Sequence, residues 1–135
     1  MSGLCLGLAF HLVYARLPGD RFTLAWTHSV EQTGWEEDYR VSETGIELLG
    51  ARVEGSGAGM EPPPNAVLRQ GRWHYRASLP PLSKLTLARS RHTSGYRICR
   101  GQRCESLSML LGPPPAEGAT VDLFPCPASA ANGAR

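Results

Sequence analysis

His28 and Glu37 are two side chains able to exchange a proton. They lie on neighbouring segments in which apolar residues alternate with polar ones, as in β-strands. If residues 31–34 form a four-residue turn, the antiparallel register pairs His28 directly with Glu37. Both positions are in phase with apolar neighbours, so both side chains should point to the core side. Such a carboxylate fixes one imidazole tautomer and raises the proton affinity of the ring. Continued through the next turn, the register sets Gly50 beside Glu37, which leaves space over the carboxylate. The pair is predicted either to serve a binding site or to be a satisfied structural pair at a sheet end.

A glycine-rich acidic segment, Gly-Ser-Gly-Ala-Gly-Met-Glu-Pro-Pro-Pro, follows a later predicted strand at residues 55–64. Glycines at alternate positions permit positive φ, and successive backbone N–H groups can then bind an anion. The Lys-Ser/Thr end of a Walker loop is absent, and the prolines oppose the helix that such a loop requires. The alternative interpretation is a structural turn or bulge. Together with the histidine pair, this segment gives the predicted ligand-binding residues: His28, Glu31, Glu37, Gly55, Gly57, Gly59 and Glu61.

No nucleophile and no diagnostic metal-ligand spacing accompanies these residues. Ser29 adjoins His28 on a strand and would point to the opposite face, which disfavours a serine hydrolase. His-x-x-x-His and Cys-x-x-Cys spacings are absent. His11, His74 and His92 have no carboxylate neighbour in sequence, so solvated or structural roles are expected for them. We therefore predict no catalytic residue, metal or cofactor and favour a non-enzymatic accessory or ligand-binding module. A metal-assisted or histidine-based hydrolytic enzyme is the alternative.

Cys99 and Cys104 flank Arg-Gly-Gln-Arg, which is the length of a tight hairpin. Gly101 at the first central position suits a type II′ turn. The two cysteines then form a non-hydrogen-bonded pair with Cα atoms about 4.5 Å apart, a distance that a disulfide can bridge. Two free thiols are the alternative in a reducing cytosol. Cys5 and Cys126 lie near opposite ends of the chain with no register to pair them, so both are expected to be free.

The elements that must position these residues are short strands separated by turn signals. Pro-Gly-Asp at 18–20 predicts a hairpin between the first two strands, and Ser-Glu-Thr-Gly at 42–45 predicts a tight turn between the next two. Their spacing is typical of an antiparallel β-sandwich or barrel of about 8–10 short strands. The predicted strands cover residues 8–14, 22–30, 35–41, 46–53, 66–70, 73–77, 84–90, 95–99, 103–109 and 120–124.

Length and charge limit the classes of protein that the sequence can encode. The 135 residues fit one domain, predicted as a single β domain over 1–124 with a disordered tail of small and polar residues over 125–135. The 14 Lys and Arg against 12 Asp and Glu give a net charge of +2, and their scatter predicts no nucleic-acid binding. No run approaches the roughly 20 apolar residues of a membrane span.

In the apolar start of the chain, Met1 to Leu17, no Lys or Arg precedes the apolar run and no small-residue cleavage pattern follows it. We therefore predict a strand there rather than a secretion signal. This favours the cytoplasm over the periplasm, although four cysteines suit either compartment.

Three motifs together resemble a known pattern: Trp-Thr-His-Ser-Val-Glu at 26–31, Trp-Glu-Glu-Asp at 35–38, and the glycine-rich segment. The chain resembles the bacterial domain of unknown function family 1850 from about Leu4 to Leu111, including Cys99 and Cys104. That family has no established activity, and its members are often encoded beside, or fused with, tripartite periplasmic-dependent solute transporters. The resemblance implies an accessory role in solute uptake, with a transporter subunit or a small anionic ligand as partner. A purely structural partner of a transporter subunit is a further alternative, for which an exposed apolar patch would be the sign.

Overall fold

The computed structural model describes residues 3–8, 12–28, 33–54, 65–77, 79–93 and 95–127. These residues form antiparallel strands with one short helix, which confirms the predicted all-β class. The described strands are β1 (Gly3–Leu8), β2 (Leu12–Pro18), β3 (Arg21–His28), β4 (Thr33–Ser42), β5 (Gly45–Glu54), β6 (Val67–Arg69), β7 (Arg72–Arg76), β8 (Leu85–Arg89), β9 (Arg97–Arg100), β10 (Arg103–Ser106) and β11 (Ala119–Pro125).

The strands form two sheets that pack as a sandwich. The smaller sheet has the order β2-β1-β11-β8, and the larger sheet has the order β10-β9-β3-β4-β5-β7-β6. Alternate residues of each strand face the other layer and remove apolar surface from water. The buried core combines side chains from both sheets: Leu4, Leu6, Leu17, Phe22, Leu24, Tyr39, Val41, Ile46, Leu87, Ile98, Leu107, Val121 and Leu123.

The turn after residue 18 connects the two sheets, so the predicted hairpin across it is wrong. Strand β2 pairs with β1, whereas β3 pairs with β4 and β9 in the larger sheet. Leu17 and Phe22 are both buried, because each strand directs apolar side chains into the shared core from its own layer. Alternation is satisfied equally by a hairpin and by such a crossover, which is why the pattern did not distinguish them.

The predicted turn at 42–45 joins β4 to β5, and Ser42 pairs with Gly45 across it. The register of this hairpin shifts between Asp38 and Tyr39, so one extra residue of β5, Leu49, lies unpaired in a bulge.

One short helix, α1 (Leu107–Leu111), replaces the end of the predicted strand 103–109. The Ser106 hydroxyl accepts a 3.0 Å hydrogen bond from the Met109 N–H, which is the N-cap geometry that serine favours. Gly112 ends the helix with a φ of +86°. Across the described ranges, no helix has both the length and the apolar character that crossing a bilayer would require.

Strand β11 lies between β1 and β8, so the two ends of the described chain meet inside the smaller sheet. Cys126 donates its backbone N–H to the Gly3 carbonyl, and its side chain forms a disulfide with Cys5. The expectation that Cys5 and Cys126 are free is therefore wrong, because the pairing of the first strand with the last brings them together. Residues 128–135 of the predicted tail lie outside the described residues, and the division at residue 124 stays a prediction.

Candidate functional site

The pairing of His28 with Glu37, on which the sequence-based site depended, is wrong. In the structure His28 pairs with Thr33, and Glu37 pairs with Leu24. The connection between the strands is therefore residues 29–32 rather than 31–34. Along β4, Glu37 lies four residues beyond Thr33, the partner of His28. At the usual rise per strand residue, these two positions are about 13 Å apart. Gly50 likewise pairs with Asp38, and Glu37 pairs with Ala51.

The other five predicted ligand-binding residues fall outside the described part of the chain: Glu31, Gly55, Gly57, Gly59 and Glu61. The structure describes the backbone of His28 as the end of β3. Ligand binding by this set stays a prediction. Glu37 is described fully and lies on the inner face of the larger sheet.

The outer face of the larger sheet carries a different set of polar side chains, in rows fixed by the strand registers. One row runs through Thr23, Asp38, Gly50 and Arg76 on β3, β4, β5 and β7. The next row runs through Glu36, Arg52, His74 and Val67 on β4, β5, β7 and β6. All of these residues except Glu36 line a cavity of about 600 Å³, which we call the outer groove.

The outer groove concentrates positive charge. Its lining includes Arg21, Arg52, Arg69 and Arg76 against a single carboxylate, Asp38. The lining thus holds three excess positive charges, more than the net +2 of the whole chain. The groove is therefore locally positive, although the chain as a whole is nearly neutral.

Arg52 and Asp38 form a fixed pair at the centre of this face. The Arg52 guanidinium donates two hydrogen bonds to Asp38, at 2.6 and 2.8 Å, and a third to Glu36 at 2.8 Å. The Thr23 hydroxyl donates to Asp38 at 2.6 Å. The Arg52 hydrogen bonds hold the pKa of the Asp38 carboxyl below its usual range despite partial burial. The groove's carboxylate is thus already neutralised by an arginine and contributes little repulsion to an incoming anion.

The remaining cations of the groove are not paired in this way. Arg21, Arg69 and Arg76 are exposed, and none of their side chains has a hydrogen-bond or ion-pair partner among the residues that the structure describes. His74 lies beside Arg52, and its Nε2 atom is buried with no hydrogen-bond partner in the described chain. Buried ring nitrogens are usually satisfied, so this atom is available to a ligand that enters the groove.

Gly50 keeps the backbone of β5 close to β7 at the floor of the groove. A Cβ atom at this position would lie 2.7 Å from the Tyr75 carbonyl oxygen, a distance that would force the two strands apart. Because Gly50 has no side chain, the space between Asp38 and Arg76 in the same row stays open.

The Cys99–Cys104 hairpin borders the groove, since Cys99 and Gly101 both line it. The two cysteines are directly opposite each other, in the register expected from the sequence, and are joined by a disulfide with a Cα–Cα distance of 4.0 Å. Gly101 has a φ of +63°, which the first central position of the predicted turn requires.

The comparison with protein families agrees with the earlier resemblance. A family model described as a domain of unknown function (DUF1850) matches residues 22–107, which is more than half of the chain. The chain belongs to the DUF1850 family. Neither the curated proteins nor the solved structures gave a match. The DUF1850 match runs from β3 to the start of α1 and so includes nearly all of the larger sheet and its groove.

Sequence reasoning missed the groove of this DUF1850 domain because its residues come from strands far apart in the chain. One local signal was present: Arg72, His74 and Arg76 alternate along β7, and such spacing puts three basic side chains on one face. In the described residues, no group of three or more His, Cys, Asp or Glu is arranged to hold a metal ion.

Proposed function

We propose that this DUF1850 domain is a non-enzymatic binding module for small anions and that the outer groove is its site. The observation that carries the proposal is the convergence, on a cavity of about 600 Å³, of three arginines whose side chains have no partner in the described part of the chain. That volume is within the range of small-ligand pockets, about 300–1,000 Å³.

The chemistry of the lining favours carboxylate or phosphate groups. A guanidinium presents a planar set of N–H donors that matches two oxygens of either group at once. Arg69 and Arg76 approach the groove from β6 and β7, whereas Arg21 approaches from β3 at the other side. His74 adds a ring nitrogen between them. Asp38 is held by Arg52, so the pair orders the floor of the groove rather than competing for the ligand.

The proposal is tested by titrating the folded protein with inorganic phosphate and with citrate while NMR follows the His74 ring and the arginine side chains. The ionic strength is held constant with sodium chloride, because screening alone weakens any charge interaction. The test variant combines Arg69→Gln with Arg76→Gln. The control is Arg16→Gln, because Arg16 is an exposed arginine on β2 in the other sheet.

We expect a saturable shift at His74 and at least a tenfold weaker affinity in the double variant, from the loss of charge-assisted hydrogen bonds. The Arg16→Gln control should bind as the unchanged protein does. If neither anion shifts His74, or if the control weakens binding as much as the double variant, the groove is not an anion site.

We further propose that the domain acts as an accessory component of solute uptake, with a transporter subunit as its partner. The support is the resemblance to family members encoded beside, or fused with, tripartite periplasmic-dependent transporters. The chromosomal neighbourhood of the coding sequence tests this role. A transporter operon beside it would favour the uptake role, and its absence across close relatives would argue against it.

A structural role towards a transporter subunit is the second candidate, favoured by an exposed apolar surface. Leu8, Leu12, Val13 and Tyr14, at the adjoining ends of β1 and β2, are 40%, 52%, 37% and 53% exposed. Apolar side chains grouped in this way are typical of protein-binding surfaces. Replacing Leu12 and Tyr14 with Ser should weaken binding of a candidate subunit while leaving phosphate binding unchanged. Unchanged subunit binding would exclude this surface.

A further inference from the structure

Glu37 is a carboxylate on the inner face of the larger sheet, and it has no cationic partner within the described residues. Its Oε1 atom accepts a 2.6 Å hydrogen bond from the Tyr39 hydroxyl. Leu24 and Ala51 lie on either side of it in the sheet. A partly buried carboxylate usually acquires a cation or several donors to offset its desolvation. Among the described residues Glu37 has one neutral donor, so that part of the chain supplies no counterion for its negative charge.

Aromatic side chains occupy neighbouring positions on the same face of the sheet. The aromatic cluster consists of Trp26, Trp35, Tyr39, Tyr75 and Tyr96. Trp26 and Trp35 are a direct cross-strand pair, stacked with ring centroids 5.9 Å apart, and Trp26 meets Tyr96 at 5.5 Å with the planes tilted by 56°.

The negative charge of Glu37 acts on all three tyrosines of the cluster. Burial is the main cause that raises the pKa of Tyr39, Tyr75 and Tyr96, and the negative charge of Glu37 raises each of them further. One carboxylate thus acts on phenol groups that come from β4, β7 and the residue before β9, and the Trp26–Trp35 pair occupies the next row of the same face.

We infer that Glu37 and the aromatic cluster form a second ligand site, which binds a small methylated ammonium ion. Ring faces attract cations electrostatically, and tryptophan does so most strongly. The carboxylate supplies the formal countercharge. Tyr39 and Tyr75 also line the outer groove, but the anion proposal rests on Arg21, Arg69 and Arg76. The second site therefore does not depend on the function proposed for that groove.

The donors and acceptors of the cluster favour a methylated ammonium over a primary one. A primary ammonium must satisfy three N–H donors when it leaves water, whereas a quaternary ammonium has none to satisfy. The indole N–H of Trp35 is buried with no partner in the described chain, so it can donate to a hydroxyl or carboxylate oxygen of the same ligand. Choline and betaine combine these two features.

Space for such a ligand adjoins the cluster. Trp26 and Tyr96 line a cleft of about 270 Å³ together with Thr27, Ala88 and Ser90. Trp26, Trp35, Tyr75 and Tyr96 are each only partly buried, so the rings are accessible from outside the core.

The experiment is a titration of the intact chain with choline and with tetramethylammonium, followed by tryptophan fluorescence and by calorimetry. The carbon isostere of choline, 3,3-dimethyl-1-butanol, has the same shape without the charge. The test variant is Glu37→Gln, which can still accept the Tyr39 hydrogen bond. The matched control is Glu47→Gln. Glu47 lies on the neighbouring strand, and its exposed side chain forms an ion pair with Arg40. Circular dichroism and thermal unfolding verify that both variants fold.

We expect both cations to change the fluorescence saturably, with an affinity at least tenfold weaker in Glu37→Gln and unchanged in Glu47→Gln. If Glu37→Gln fails to fold, Trp26→Leu serves in its place, with the same expected loss. The inference is overturned if neither cation binds, if the neutral isostere binds as tightly as choline, or if the folded test variant retains full affinity.

Discussion

The disulfide between Cys5 and Cys126 should contribute more to stability than the disulfide between Cys99 and Cys104. The first joins residues 121 positions apart, and the second joins residues 5 positions apart. A crosslink restricts the unfolded chain, and the entropy that it removes grows with the logarithm of the enclosed loop length. Removing each bond by paired Cys→Ala substitution should therefore have clearly different effects.

The loop-closure relation gives the size of the difference. It predicts a loss of about 5 kcal/mol for the long loop and about 2 kcal/mol for the short one. Since small domains are stable by about 5–15 kcal/mol in total, loss of the longer crosslink alone could remove a third or more of the stability. Cys5 is fully buried against Phe124, so the loss of its sulfur atom adds to the effect in the same direction.

The assay is urea unfolding of the oxidised parent and of the two double variants, Cys5→Ala with Cys126→Ala and Cys99→Ala with Cys104→Ala. Mass spectrometry of non-reduced peptides verifies the pairing in the parent. Equal losses in the two variants, or a greater loss from the short loop, would refute the chain-entropy argument. Free thiols at Cys5 and Cys126 in the oxidised parent would instead refute the pairing.

Three further substitutions probe the two faces of the larger sheet. Asp38→Asn should lower the free energy of unfolding at neutral pH by about 1 kcal/mol, because solvent screens the partly exposed pair with Arg52. The pKa of Asp38 is lowered on folding, so its ionised form stabilises the folded state. This stabilisation is present above the ordinary pKa of 3.8, decreases as the pH falls towards the folded pKa, and is absent below it. Urea unfolding of parent and variant at several pH values checks this, and a constant difference down to pH 2 would contradict it. Gly50→Ala should cost about 1–3 kcal/mol in the same assay because its Cβ meets a carbonyl oxygen of β7; an unchanged stability would show that the strands can separate freely. Tyr39→Phe should cost about 1–3 kcal/mol by leaving Glu37 without its donor, and no loss would mean that water replaces the hydroxyl.

The strands themselves follow from the sequence, because period-two alternation is a local property of residues that line a sheet. Turn chemistry located two hairpins that close within a few residues, although it also predicted one at 18–20 that does not form. Ser42 and Gly45 bracket one, and the Gly101 turn sets Cys99 opposite Cys104 in the other. In each hairpin the residues that specify the contact are neighbours in the chain.

The register of β3 against β4 could not be determined in this way. The predicted pairing, Glu37 with His28, and the observed pairing, Glu37 with Leu24, differ by four positions. An even slip leaves every side chain on the same face, so alternation is satisfied equally by both registers. The choice depends on where the chain turns and on contacts with the rest of the core, such as the buried Tyr39 beside Phe22.

Most of the strands, the all-β class and two short hairpins could be predicted from the sequence, because each depends on residues close together in the chain. Which strands became neighbours depended on the packing of the two sheets. That packing brought the first strand beside the last, so that Cys5 meets Cys126, and it placed Arg21 and Arg76 on one groove although they are 55 positions apart in the sequence. Contacts of this kind arise from the packing of two whole sheets around one core, and no local pattern of residues encodes them.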